Sequence, residues 1–337
     1  MSASAAASGH LSGFDLARGF AAVAIALFHF TNNGWLPAGH WLMEAGYFGH
    51  LGVRTFFVIS GFVVPLAMWR GGFTGAAFGP FIARRMVRLY PPYLASVAIP
   101  AGAVGAGGVA IAPGPLAAHF AYLNDLLGVP WLIEIYWALA IEVQFYLVIA
   151  LLWRWAASER AWPFVAMAAV VIASCFLPWP TRSLPRFGLC FLLGIAAFRW
   201  HASLGVRPVN AMIALLCALL MWSNDSAPAA LAAVFPLALL ALPLGVPRWA
   251  KGLSDISYSL YLFHLAAGAG FLGMFGAMPL SSGARVALVG VALALSIVTA
   301  WVAYRLVELP AGAWAKRFSY RRAALTPPAV SADSCAP

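Results

Sequence analysis

The sequence predicts an all-α polytopic membrane protein of about ten transmembrane helices, with both termini cytoplasmic. Three observations carry that expectation. The chain of 337 residues is 63% hydrophobic and only 9% charged, with a mean hydropathy of +0.88, whereas a soluble domain carries about 25% charged residues. Its apolar stretches are bounded by charge, Pro or Gly and suit a hydrocarbon core about 30 Å thick. Its Lys and Arg residues cluster between those stretches, on one side of the implied membrane.

Taken in order, the apolar segments run over 14–31, 48–69, 91–112, 132–153, 161–178, 186–200, 208–222, 228–246, 255–276 and 284–306. The sixth and seventh are short. An even number of spans puts both termini on one side. Of the twenty Lys and Arg residues, sixteen fall on that side, Arg182, Arg186 and Arg285 fall opposite, and Arg54 lies inside the second span. That asymmetry is the positive-inside signal, so the terminal side is cytoplasmic and the host is the inner, cytoplasmic membrane. The net charge of +10 is then mostly topology, and a nucleic-acid partner is set aside.

Residues 1–13 form a short cytoplasmic segment with no Lys or Arg ahead of an apolar core, so no cleavable signal is expected. Residues 14–310 form the membrane domain. The tail 311–337 is rich in Ala, Pro and Ser with a basic start, and reads as a membrane-surface segment that becomes disordered. Cys175, Cys190, Cys217 and Cys335 lack metal-ligand spacing and read as free thiols, and no metal is expected. No internal repeat of the kind that builds many transporters is present.

Ionisable residues inside spans are costly and mark cavities or partners. The set is short: His29, Arg54, Glu142 and His264, with Glu134, Asp255 and Glu308 near span ends. In FDLARGFAAVAIALFHF (14–30), Arg18 and His29 are eleven residues apart, so they share a helix face about 16 Å apart along the axis. His29 is either a core histidine bonded to a carbonyl or a general base.

In HLGVRTFFVISGF (50–62), Ser60-Gly61 lacks the glycine two residues earlier that a hydrolase elbow needs, so close helix packing is expected. In FIARRMVRLYPPY (81–93), Arg84, Arg85 and Arg88 crowd one stretch, Arg84 and Arg88 share a face, and Pro91-Pro92 is expected to break or restart a helix. The arginines are either topological anchors or a clamp for phosphates such as those of a coenzyme A donor.

In WLIEIYWALAIEVQFY (131–146), Glu142 and Tyr146 share a face, and Glu142 requires a partner such as His29 or Arg54. SDISYSLYLFH (254–264) gives an unusually polar start to a span, ending on His264. Gly268, Gly270 and Gly273 match dinucleotide-fingerprint spacing, but sit in an apolar span with no preceding strand, so they read as helix packing.

Arg18 with His29, FFVISGF, RRMVRLYPPY, WALAIEVQFY and SYSLYLFH, in that order, resemble the acyltransferase-3 family of integral membrane proteins, which acylate surface glycans and some secondary metabolites. The ELP at Glu308–Pro310 resembles the family's ending. The resemblance implies a ten-helix domain that uses a cytoplasmic acyl-CoA, most simply acetyl-CoA, as donor. It makes His29 the catalytic residue with Glu142 in the catalytic cavity. Arg18, Arg84, Arg85, Arg88 and Tyr90 would serve the donor, and Tyr146, Tyr258 and His264 the hydroxyl acceptor.

Arg54 departs from the pattern, standing where relatives often carry an acidic residue. Some relatives append an extracytoplasmic hydrolase-like domain; this chain, ending soon after its last span, is expected to act alone or with a separate extracytoplasmic partner. A different class, a proton-coupled transporter relaying through His29, Glu142 and His264, is disfavoured by the missing repeats and by the Arg-Tyr-Pro-Pro segment, and acyl-CoA binding discriminates the two.

Overall fold

The computed structural model describes residues 11–106, 112–242 and 245–318. The expectations for residues 1–10 and for the tail beyond residue 318, with Arg321, Arg322 and Cys335, lie outside the described residues, whereas residues 311–315, expected to begin the tail, belong to the helix Leu309–Ala315. Among the described residues the chain is helical and contains no strand. The long elements are α1 (Ser12–Asn32), α2 (Trp41–Tyr47), α3 (Gly52–Arg70), α4 (Phe78–Ala106), α5 (Pro113–Ala121), α6 (Trp137–Leu151), α7 (Ala161–Ser174), α8 (Gly188–His201), α9 (Arg207–Asn224) and α10 (Ala227–Ala241). They continue as α11 (Arg248–Asp255), α12 (Ser257–His264), α13 (Gly270–Gly273), α14 (Ser282–Ala303) and α15 (Leu309–Ala315).

A helix falls on every predicted span, but the spans are not equal. Among the described residues, four helical stretches are long and apolar enough to cross a membrane: Ser12–Asn32, Trp41–Arg70, Glu134–Leu151 and Ser282–Ala315. A fifth is the pair α11 with the stretch from Ser257 to Gly273, bent by 56°. Some of the remaining helices fall short in length. At 1.5 Å per residue, α7, α8 and α10 reach only about 21–23 Å, less than a hydrocarbon core of about 30 Å.

Two helices organise the rest. α1 packs against α3, α10, α11, α12 and α14, and α3 packs against α1, α8 and α10. The approach of α3 to α8 depends on glycine. A Cβ at Gly61 would overlap the carbonyl of Phe191, and one at Gly194 would overlap that of Val58. Small residues in place of larger ones let two backbones touch where lipid supplies no hydrophobic drive. The expectation of packing at Ser60-Gly61 holds for Gly61. Gly268, likewise, lies against Phe30 and Ser296.

The expected helix break at Pro91-Pro92 is corrected: α4 starts at Phe78 and runs unbroken through both prolines. Proline removes a hydrogen-bond donor and crowds the preceding turn, yet two neighbouring helices, α5 and α12, support this stretch. Tyr258 donates to Leu89 O at 2.9 Å, and Tyr93, fully buried, donates to His119 O at 3.1 Å. Tyr90 donates to Phe120 O. Tertiary contact overrides the local preference.

Buried Arg199 fastens the far end of the bundle. Its guanidinium donates to Ala156 O at 2.7 Å, Ser158 O at 2.9 Å and Asn210 Oδ1 at 3.1 Å, and lies 4.3 Å from the centre of the Phe164 ring.

Candidate active site

Helical periodicity supplies the site in pairs. Residues three or four apart face the same way, and four helices each turn such a pair into one cavity: Asp15 and Arg18 from α1, Arg85 and Arg88 from α4, Glu142 and Tyr146 from α6, Tyr258 and Tyr261 from α12. Ser60, Ser257 and Glu308 complete its polar lining, with Phe56, Phe57, Val53 and Leu139 as its apolar wall. The cavity measures about 390 Å³. Arg88 is exposed and marks its mouth.

The cations and anions of this cavity are held differently. Glu142 accepts from Tyr146 Oη at 2.5 Å and from Ser60 Oγ at 3.1 Å. Glu308 accepts from Ser259 Oγ at 2.7 Å. Asp15 accepts from Ser254 Oγ at 2.9 Å and lies 3.8 Å from Lys251 Nζ. Among the described residues, none of the ion pairs involves Arg18, Arg85 or Arg88. Arg85 lies over the rings of Tyr146 and Phe81, at 5.3 and 5.6 Å. Arg18 feels the charges of Glu308, Glu142, Asp15 and Arg88 without closing an ion pair on any of them. Three guanidiniums directed into one opening, with the carboxylates satisfied by hydroxyls, leave donors ready for an incoming anion.

Glu308 has a second role. α12 begins at Ser257 with no side-chain cap from its own flanking residue. Glu308 reaches it from another helix and puts a carboxylate on the first turn, where free N–H groups and the helix dipole favour negative charge. Its own position depends on a π-helical turn, Tyr304–Glu308. A second π-helical turn, Leu265–Ala269, follows His264 directly. Such turns recur at functional sites.

His29 and His264 form a separate pair. Their ring centres are 5.2 Å apart. His29 is half-buried, near the C-terminal end of α1, whereas His264 is fully buried. Neither lines the cavity, but Tyr261 does, and its ring centre is 6.1 Å from that of His264. Tyr261 at the cavity and His264 of the histidine pair thus stand on consecutive turns of α12. Phe28 meets His29 edge-on at 4.9 Å, and Tyr47 and His50 pack on Phe28.

The predicted site residues therefore divide. Arg18, Arg85, Arg88, Glu142, Tyr146 and Tyr258 converge on the cavity. Arg84, expected to share a face with Arg88, lies outside its lining, and Tyr90 instead anchors α4 to the end of α5. The partners expected for Glu142, His29 or Arg54, are replaced by Tyr146 and Ser60. Arg54 pairs with Asp225 at 2.7 Å. Ser60, Ser257, Tyr261 and Glu308 were not legible as site residues. Ser60 and Glu308 reach the site through partners distant in sequence, and only the polar run SYSLY hinted at Ser257 and Tyr261. Among the described residues, no cluster of His, Cys, Asp or Glu is arranged to hold a metal ion.

Comparison with known proteins agrees with the motifs. The family model described as an acyltransferase domain, Acyl_transf_3, matches residues 11–305. Nodulation protein 10 of Rhizobium leguminosarum bv. viciae is 25% identical over 312 residues, covering 77% of this chain and 83% of that protein. No solved structure matches the chain significantly. With the family model spanning most of the chain, the protein belongs to the acyltransferase-3 family of membrane acyltransferases.

Proposed function

We propose that the protein transfers an acyl group, most simply acetyl, from acyl-CoA to a hydroxyl of a cell-surface or exported glycan. The observation that carries this reading is the set Arg18, Arg85 and Arg88, turned into one cavity and absent from every ion pair among the described residues. Guanidinium forks suit phosphate oxygens, and the nucleotide end of coenzyme A is a cluster of phosphates. Its pantetheine arm then follows the apolar wall towards Tyr261, bringing the thioester to the histidine pair. The positive-inside bias supports a cytoplasmic donor mouth in the inner membrane, with both termini on that side.

In the reaction, the acceptor oxygen attacks the thioester carbonyl carbon while its proton passes to His29. The tetrahedral intermediate collapses with cleavage of the C–S bond, and the leaving thiolate takes the proton back. The products are an ester and the free thiol, and His29 is regenerated. Ser257, with a buried Oγ that has no partner, stands on the cavity wall as a hydroxyl available to the donor.

The deciding measurement is binding and slow hydrolysis of radiolabelled acetyl-CoA by purified protein, in wild type, His29→Ala and Arg18→Ala. Binding that survives in His29→Ala while turnover is lost, with weaker binding in Arg18→Ala, supports the reading. A His29→Ala protein that keeps wild-type turnover, or wild type that binds no acyl-CoA, overturns it.

A further inference from the structure

His264 is fully buried and yet half-used. Its Nδ1 lies 2.8 Å from Tyr261 O and 3.1 Å from Leu260 O. Carbonyl oxygens only accept, so Nδ1 carries the hydrogen and donates it. In the neutral ring Nε2 is then a bare acceptor, and it has no partner. A buried polar atom left without a partner in a packed helix calls for a reason.

The tautomer is fixed by the helix itself. In regular α geometry Tyr261 O would accept the N–H of Leu265. Here His264 Nδ1 uses that carbonyl, and the π-helical turn begins at Leu265. Gly268, within that turn, lies against Phe30 and Ser296, where a Cβ would collide. Phe30 in turn stands 6.1 Å from the His264 ring. The imidazole is therefore clamped by its backbone bonds and its neighbours, and the ring facing it belongs to His29.

We propose that His264 is the positioning residue for His29: its Nε2 accepts the N–H of the His29 ring as that ring takes up the proton of the acceptor hydroxyl. The inference rests on His29 acting as the base. A neutral imidazole gains a proton at one nitrogen while already carrying one at the other, so both nitrogens then need acceptors. The attacking oxygen and then the leaving thiolate serve one side, and His264 Nε2 serves the other. His264 itself neither gains nor loses a proton, so the overall balance of the transfer is unchanged. The three carboxylates of the cavity are committed elsewhere, Glu142 to Tyr146 and Ser60, Glu308 to Ser259, and Asp15 to Ser254 and Lys251.

The titratable groups that face this pair are few. Tyr261 comes from α12, Tyr47 and His50 approach through Phe28 from the segment between α1 and α3, and α14 brings the hydroxyl of Ser296 beside Gly268. His29 acts as a base when neutral, so turnover rises as pH rises through its titration. An acceptor on its N–H stabilises the imidazolium and holds that limb at higher pH; removing the acceptor moves the limb to lower pH.

The test uses acetyl-CoA hydrolysis by the purified full chain, across pH, in His264→Phe, His264→Asn and His264→Gln, with His29→Ala alongside. Gln can set its Oε1 near the place of Nε2, whereas Asn reproduces the Nδ1 end and leaves His29 without an acceptor. The expected result is a fall in kcat of at least about tenfold in Phe and Asn, with the KM for acetyl-CoA unchanged. Gln should stay within about threefold of wild type, and the rising limb should move to lower pH in Phe. Wild-type turnover in all three variants, or an equal fall in all three with the limb unmoved, overturns the inference while leaving His29 as base. A His29→Ala protein with wild-type turnover overturns the underlying reading instead.

Discussion

Tyr146 donates to Glu142 at 2.5 Å from one turn further along α6, and among the described residues Glu142 closes no ion pair with the arginines of the same cavity. Glu142 nonetheless lines the cavity proposed for the donor's phosphates, where a carboxylate charge opposes an incoming anion. Glu142→Gln keeps an acceptor for Tyr146 and Ser60 while removing that charge. Two unit charges several Å apart at an effective dielectric near 20 interact by about 2 kcal/mol. The expected outcome is acetyl-CoA binding tightened by about three- to tenfold, read by equilibrium binding in detergent. Weaker binding would mean that the carboxylate contacts the donor directly.

The arginine cluster makes a sharper prediction because adjacent residues differ. Arg85 and Arg88 line the cavity, and Arg84 does not. Arg85→Ala and Arg88→Ala should each weaken acetyl-CoA binding by about tenfold or more, and raising salt should shrink that difference. Arg84→Ala should change it less than about twofold. Lysine at position 85 should not restore affinity, because a point charge loses both the fork and the stacking over Tyr146. Equal losses at 84 and 85 would make the segment a diffuse basic surface.

How far this site was legible follows from what kind of information each residue carries. Pairs within one helix, Glu142 with Tyr146 above all, follow from a period of 3.6 and were predictable. The choice of Arg85 over Arg84 was not, because it depends on how far α4 is rotated against its neighbours. That rotation is set by Tyr258 on Leu89 O and Tyr93 on His119 O, contacts made across 169 and 26 residues. The unbroken helix through Pro91 and Pro92 has the same origin. Arg54 found its counter-charge 171 residues away in Asp225. The sequence marks Glu308 only as an ionisable residue at a span end, and the π-helical turn before α15 brings it to the first turn of α12.

Arg199 tests stability apart from chemistry. It is fully buried, and its donors satisfy two loop carbonyls and Asn210. Removing it leaves those acceptors buried and unpaired, each costing about 1–3 kcal/mol. Arg199→Met should therefore lower the melting temperature in detergent and reduce yield, while the protein that survives binds acetyl-CoA normally. Arg199→Lys should rescue little, since one ammonium cannot reach all three acceptors and stack on Phe164. A stable Arg199→Met protein would show that the loops are held by packing alone.

Glu308 joins the two halves of the site, so its removal should be felt at a distance. It caps α12 through Ser259, and α12 carries Tyr258 and Tyr261 at the cavity and His264 at the histidine pair. Glu308→Ala leaves the first turn of α12 uncapped, a loss of about 1 kcal/mol in exposed helices. It also removes a negative charge beside Arg18 and Arg88. These two effects point in opposite directions. Losing the charge strengthens anion binding, whereas losing the cap loosens the helix that positions His264. The expected result is a lower kcat with an unchanged or lower KM for acetyl-CoA. Glu308→Gln keeps an acceptor for Ser259 and should restore most of kcat while retaining the lower KM. If Gln and Ala lose kcat equally, the charge of Glu308 rather than its cap sustains turnover, and the carboxylate belongs with the donor-binding groups.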